Sequence, residues 1–367
     1  MKKIFLVLFL SVFFVSCSQD SFYPVINNGY VCFVNQNGVK QTDWVEGNTI
    51  YSKYEIPTIT GNDTNDIIKY YDLSNKKWFS IDFNRKGHFE DRVYSDGLLA
   101  IKDNEKCLYG YINTQNEYEI LPMYENAEPF SCDVAWVYKK SEDNNLLINK
   151  KNEVLFCADY FTTTPYQNGY SYVIKNLVPE IYIPMYDDHG NIIPGALQVV
   201  DGAFGGIIDK KGKEIISFTL GEPTKVSDNT VRCKEKYIID NEVSYSLFGY
   251  KNLKNEWIIK PQYVYADDFR YGYAEVSNDE NDYYLINKKN QICLKNNYKF
   301  IYAISKKLFI VSHNLEDFYI TNIKKEQLSE KFYLIKLLDD KMYLAKNTEG
   351  LFYINSLGKM FYFEDYN

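Results

Sequence analysis

One register, held twice, constrains this chain more than any other feature. Residues 108–154 read LYGYINTQNEYEILPMYENAEPFSCDVAWVYKKSEDNNLLINKKNEV, and residues 247–292 read LFGYKNLKNEWIIKPQYVYADDFRYGYAEVSNDENDYYLINKKNQI. Gly110 and Gly249, Asn113 and Asn252, Pro122 and Pro261, Tyr124 and Tyr263, Phe130 and Phe269, and Ala135 and Ala274 all stand 139 positions apart. Chance composition does not keep one offset across so many unlike residue types, so the chain contains an internal repeat. A chain that repeats itself builds from similar small modules that lean on one another.

A shorter signature recurs more often: an apolar residue, Asn or Asp, two free positions, then Gly or Asn. It reads Val34 to Gly38, Phe83 to Gly87, Ile112 to Asn116, Ile148 to Asn152, Ile208 to Gly212, Lys251 to Asn255, Ile286 to Asn290 and Ile354 to Gly358. A type I turn favours Asn or Asp first, where the side chain bonds the backbone ahead, and Gly or Asn last, where φ turns positive. Followed by a β-run, that is a hairpin with a bulge. Asn113, Asn116, Asp209, Gly212, Asn252, Asn255, Asn287, Asn290, Asn355 and Gly358 are therefore expected to be structural turn residues. The flanks alternate, as in Tyr109 and Tyr111 before the turn and Tyr118 and Ile120 after it, which is the period of a half-buried strand.

From Phe83 onward the steps between these markers are 29, 36, 60, 43, 35 and 68 residues. The last holds a degenerate unit at residues 320–324, read as keeping the apolar flanks without the turn residues. The unit is thus about 35 residues, with insertions near 46–66 and 178–200, and each unit is expected to hold three to four short antiparallel strands followed by a P-x-Y connector. Tyr and Phe number 35 and 23, a composition suited to pleated, half-buried surfaces. The expected fold is all-β, a propeller-like or curved repeat array; seven or eight units could close a ring and so protect the strand edges.

Tyr109-Gly110-Tyr111-Ile112-Asn113 with Ile120 to Tyr124, and Phe248-Gly249-Tyr250-Lys251-Asn252 with Ile258 to Tyr263, resemble the WG (KWG) β-repeat family over roughly residues 90–360. The naming Trp-Gly pair is absent, with Tyr109-Gly110, Gly205-Gly206 and Phe248-Gly249 in its place. The resemblance implies a β-repeat architecture and an envelope or interaction role. It brings no catalytic residues with it.

The amino-terminal end reads as an address. Lys2 and Lys3 precede an apolar run from Ile4 to Val15, about 18 Å of helix against a bilayer core of about 30 Å, hence a secretory signal over residues 1–16. Phe14-Val15-Ser16-Cys17 resembles the bacterial lipobox, with Phe14 where Leu is commonest. It implies acylation of Cys17, a membrane tether over residues 17–22, and a repeat domain over 23–367 at the cell envelope, in the outer membrane. Six further cysteines are widely and irregularly spaced and are expected mainly as buried thiols.

Chemistry is sparse. The net charge of −8 opposes nucleic acid, whose phosphates need a basic face, and the Lys-Lys pairs at 150–151, 210–211, 288–289 and 324–325 read as solvated turn tips. His88, His189 and His313 lack metal spacing, and no nucleophile, zinc or phosphate-loop motif occurs. Asp187-Asp188-His189 and Asp279 to Asp282 read as turns, not sites, whereas carboxylates such as Asp267-Asp268 could serve a glycosidase, although sequence does not place them across a cleft. No catalytic, cofactor or metal site is therefore expected. Trp44, Trp78 and Trp136 are candidates for stacking on sugars or anchoring a partner, whereas Trp257, which aligns with Tyr118, reads as packing. The function expected is a non-enzymatic envelope lipoprotein presenting loops to a protein or glycan. The alternatives are an envelope glycan hydrolase on the same scaffold, needing two carboxylates at set separation, and a structural component held through its insertions.

Overall fold

The computed structural model describes residues 21–366 apart from 50–53, 61–66, 83–92, 104, 176–180, 187–191, 201–203, 220–224, 235, 240–241, 246 and 280. Cys17, the Phe83 to Gly87 turn, His88, the tip of the first insertion and the Asp187 to Gly190 turn with His189 lie outside the described residues.

The described chain is all-β: nine antiparallel sheets of three or four strands form a nine-bladed β-propeller. In chain order the blades span 22–46, 58–82, 98–124, 126–158, 160–219, 226–263, 265–298, 300–322 and 334–362. Their number exceeds the seven or eight units expected. Residues 46–66 are not simply an insertion, because Thr58–Thr60 is the first strand of blade 2 and pairs with Ile67–Asp72. The turn between the second and third strands of that blade is built on Asp72, whose carboxylate accepts from the N–H groups of Ser74 and Asn75. Residues 320–324, expected to lack the turn residues, keep a turn. Asn322 accepts from the N–H groups of Lys324 and Glu326, and Lys325 takes the positive φ of 66°.

Burial explains why the modules need one another. Nine apolar clusters lie one at each junction between neighbouring blades. Tyr111, Ile120 and Tyr124 of blade 3 pack on Phe130, Ala135 and Ile148 of blade 4. Tyr250, Ile259 and Tyr263 of blade 6 repeat this against Phe269, Ala274 and Ile286 of blade 7. A three- or four-stranded sheet alone would leave both faces wet. The ring closes between blades 9 and 1, where Tyr23 and Val25 pack on Met342 and Tyr353, the Tyr23 hydroxyl donates to Asp339 at 2.7 Å, and the Trp44 indole donates to the Tyr366 carbonyl.

The turn signature has the expected geometry. The Asn113 side chain accepts from the N–H groups of Gln115 and Glu117 at 3.0 Å, and Asn252 accepts from Lys254 and Glu256 at 2.9 and 3.0 Å. Asn287, Asp209 and Asn355 do likewise, with Asn116, Gly212, Asn255, Asn290 and Gly358 at positive φ. The glycine of the repeat has a separate cause. A Cβ on Gly110 would lie 2.5 Å from the Ile120 carbonyl oxygen, and one on Gly249 2.6 Å from that of Ile259. Both glycines sit in a bulge where the outer strand crosses close to the backbone.

The P-x-Y segment is not a connector. Pro122 and Pro261 lie inside the outermost strands Tyr118–Tyr124 and Trp257–Tyr263, at the bulge opposite Gly110 and Gly249 where the regular ladder is interrupted. Their tyrosines reach the next blade: the Tyr124 hydroxyl donates to Asn152 at 2.6 Å and that of Tyr263 to Asn290 at 2.5 Å. The second insertion is a hairpin, Ile181–Tyr186 with Ile192–Val200, within blade 5. A further one, Lys236–Ile239 with Glu242–Tyr245, lies within blade 6 and accounts for the 43-residue step.

Candidate functional site

The first two strands of the blades are joined by tight turns that the turn signature does not describe. Asn28-Gly29, Asp96-Gly97, Cys132-Asp133, Asn168-Gly169, Asp228-Asn229 and Tyr271-Gly272 each have positive φ at both residues, as a type I′ hairpin requires. Asn-Gly and Asp-Gly are the strongest short hairpin signals in a sequence, and they were present here at 28, 96 and 168. Tyr271, at φ 54°, is the exception, since a bulky side chain in the left-handed region is strained. Backbone strain of this kind clusters at functional sites.

A cavity of about 860 Å³ opens beside Tyr271. It lies where the tight turns of blades 5 to 9 meet the Asn287 turn, and Asn168, Asp228, Arg270, Lys288, Lys306 and Asp340 are among its walls. The sister repeat shows what is particular to it. Arg270, Tyr271 and Gly272 stand where blade 4 has Ser131, Cys132 and Asp133, at the same 139 offset. One element is common to both: Asp96 accepts from the Asp133 N–H and Asp228 from the Gly272 N–H, each at 2.6 Å. That carboxylate is a clip between successive blades. The rest diverges. Ser131 donates to the Tyr166 carbonyl, whereas Arg270 forms an ion pair with Asp340, two blades along, and lies 4.5 Å from the centre of the Tyr302 ring. The Tyr271 hydroxyl donates to the Asp340 carbonyl at 2.7 Å.

Burial by itself would lower the affinity of Arg270 for its proton. The neighbouring Tyr302 and Asp340 outweigh it and hold the guanidinium charged. Lys288 pairs with Asp228 at 3.4 Å. Of the four Lys-Lys pairs, 288–289 is the one that borders this cavity. The pairs at 150–151, 210–211 and 324–325 occupy turns, with Lys150 on Asp133 at 2.9 Å.

The remaining candidates from the sequence are placed as structure. Asp268 is buried against Arg232 at 3.2 Å, and the Asp267 carboxylate accepts from the N–H of Asp268. Asp279 accepts from the N–H groups of Asn281 and Asp282 at a hairpin tip. His313 lies on the Tyr298 ring. Trp136 is buried between blades 4 and 5 with its indole donating to Ser171, and Trp78 packs on Phe33 and Tyr71. Neither these nor Trp44 offers a stacking face at the cavity. Trp257 packs as expected, beneath Lys251. Cys32 and Cys233 are buried thiols, whereas Cys107 and Cys157 are exposed and Cys293 is half-buried. Among the described residues, no group of three His, Cys, Asp or Glu side chains could hold a metal ion, and no helix is long and apolar enough to cross a membrane.

Fold and repeat together define a class: a nine-bladed β-propeller, two stretches of which match a known repeat model. The family model of the WG containing repeat matches residues 109–141 and 248–281. Each match begins on the next-to-outermost strand of one blade and ends beyond the second strand of the next, so the sequence repeat runs half a blade out of phase with the structural one. No curated protein matches the chain. Among solved structures, apo AztD from Citrobacter koseri is similar at 11% identity, with 94% of each chain covered and a TM-score of 0.34. BamB from Moraxella catarrhalis is similar at 10% identity over 92% of this chain and 91% of that one, at 0.35. A protein of unknown function from Bacteroides caccae is similar at 12% identity over 60% and 88%, at 0.22.

Proposed function

We propose that the propeller is a non-enzymatic binding module, tethered to the cell envelope through acylated Cys17, and that the cavity beside Tyr271 receives its protein or glycan ligand. One observation carries this reading. Two sister repeats differ at equivalent positions, Arg270 and Tyr271 against Ser131 and Cys132, and this difference borders the cavity and includes a strained aromatic. A purely architectural turn gains nothing from tyrosine there. The carboxylates on the cavity are engaged, Asp228 with a backbone N–H and Lys288, Asp340 with Arg270. That favours binding over hydrolysis, which needs one carboxylate free to take up and release a proton.

The test uses an array of envelope glycans and proteins with wild type and Tyr271→Asn. Asparagine is a residue the turn tolerates, so the variant is expected to fold with a thermal midpoint close to that of wild type while losing about ten-fold or more in affinity. Saturable binding that is indifferent to Tyr271→Asn would contradict the placement. No binding by wild type would remove the reading. Metabolic acyl labelling, with Cys17→Ser as the unlabelled control, tests the tether.

A further inference from the structure

The cavity carries a charge that the chain as a whole does not. The sequence has 41 basic and 49 acidic residues, yet Arg270, Lys288, Lys289 and Lys306 line the cavity against only Asp228 and Asp340. The two carboxylates are matched to Lys288 and Arg270. Lys289 and Lys306 are exposed at the rim, and among the described residues neither has a carboxylate within ion-pair distance. Two ammonium groups of one sign over a concave wall concentrate the field and draw anions in.

The rest of the lining says which anion. The apolar members, Val226 and Phe269, are buried, so no pocket awaits the aliphatic or aromatic anchor on which peptide recognition turns. The exposed polar lining is amide and phenol: Asn229 and Gln291, the latter accepting from Asn287 while its NH2 group carries further donors, with the half-buried rings of Tyr170 and Tyr271. Amides pair with hydroxyls, and tyrosine rings present an apolar face with a polar edge. That combination suits a sugar ring bearing a negative charge.

We propose that the cavity binds an acidic glycan, a carboxylate-bearing oligosaccharide, with Lys289 and Lys306 attracting the charge, the amides meeting hydroxyls and Tyr271 lying against a ring. The Arg270–Asp340 pair then serves as a fixed floor that holds Tyr271 in place. This inference rests on the binding reading above and adds the ligand class to it.

The experiment titrates the soluble protein, residues 18–367, with oligogalacturonate, with the same oligomer methyl-esterified to remove its charge, and with poly-glutamate. Lys289→Glu/Lys306→Glu and Lys289→Gln/Lys306→Gln are compared with wild type. Both lysines are exposed, so the variants are expected to melt as wild type does. Oligogalacturonate should bind saturably, weaken as salt rises, weaken several-fold in the Gln pair and about ten-fold or more in the Glu pair. The esterified oligomer should bind much less well, and poly-glutamate should not compete. Equal affinity for charged and esterified oligomers, or indifference to charge reversal, overturns the acidic-ligand inference while the binding reading stands. Preference for poly-glutamate overturns the glycan. If neither oligomer nor peptide binds wild type, the acidic glycan is rejected, and the array with Tyr271→Asn then decides whether the binding reading goes with it.

Discussion

Gly249 shows how much one absent side chain can fix. It is not there for backbone freedom, since its φ lies outside the left-handed region. It is there because the Ile259 carbonyl oxygen and the Pro261 nitrogen occupy the space of a Cβ. Backbone atoms cannot rotate aside, so Gly249→Ala must push the outer strand off the blade. Overpacking of this kind costs about 1–3 kcal/mol, and the alanine variant is expected to lose that much in a denaturant titration. The glycine, the turn asparagines and the paired tyrosines were legible from the sequence because each answers a local demand, and local demands repeat with the module. The cavity was not legible. Arg270, Tyr271, Lys306 and Asp340 come from three blades, and nothing in a linear chain announces that their turns converge. The one available signal was the series of Asn-Gly and Asp-Gly turns at 28, 96 and 168, against which Tyr271-Gly272 stands out.

At the scale of the element, the sister blades show how one scaffold tolerates unlike interiors. Trp136 of blade 4 and Glu275 of blade 7 are equivalent at the 139 offset. The indole fills the junction with blade 5, whereas the Glu275 carboxyl is buried against blade 8 and accepts from the Ile301 N–H at 2.7 Å. Burial pushes its pKa up to about 8, and nearby Asp267 adds to the rise against the hydrogen bonds from Ile301 and Tyr265. The folded blade therefore holds a proton that the unfolded chain, with a carboxyl near 4.5, releases earlier. Stability from this group is present below about pH 4.5 and is lost as pH rises toward 8, by on the order of a few kcal/mol. Denaturation midpoints at pH 5 and pH 9 should fall in that direction for wild type, and the fall should shrink in Glu275→Gln, which keeps the hydrogen-bonding shape without the charge. An equal fall in both would assign the pH dependence to other groups. No periodicity of the sequence says that an acid at residue 275 is buried, or which neighbour it meets.

Over the whole molecule, the module's length was readable and its number was not. Blade 2 hides its turn at Asp72, blade 8 disguises its own with Lys325 at the last position, and hairpins inserted in blades 5 and 6 stretch the spacing. Ring closure is a property of curvature accumulated over all nine junctions, so it leaves no local mark until the two ends meet. They meet through Tyr23 and Asp339, through the Tyr353 hydroxyl on the Pro24 carbonyl, and through Asn355 on the Gln36 carbonyl. The most direct test of the closed ring is the distance between spin labels placed on Asn37 and Leu357, exposed residues from the first and last blades. A closed nine-bladed ring gives a single short, narrow distance. A long or broad distribution, as an open superhelical array would produce, contradicts it.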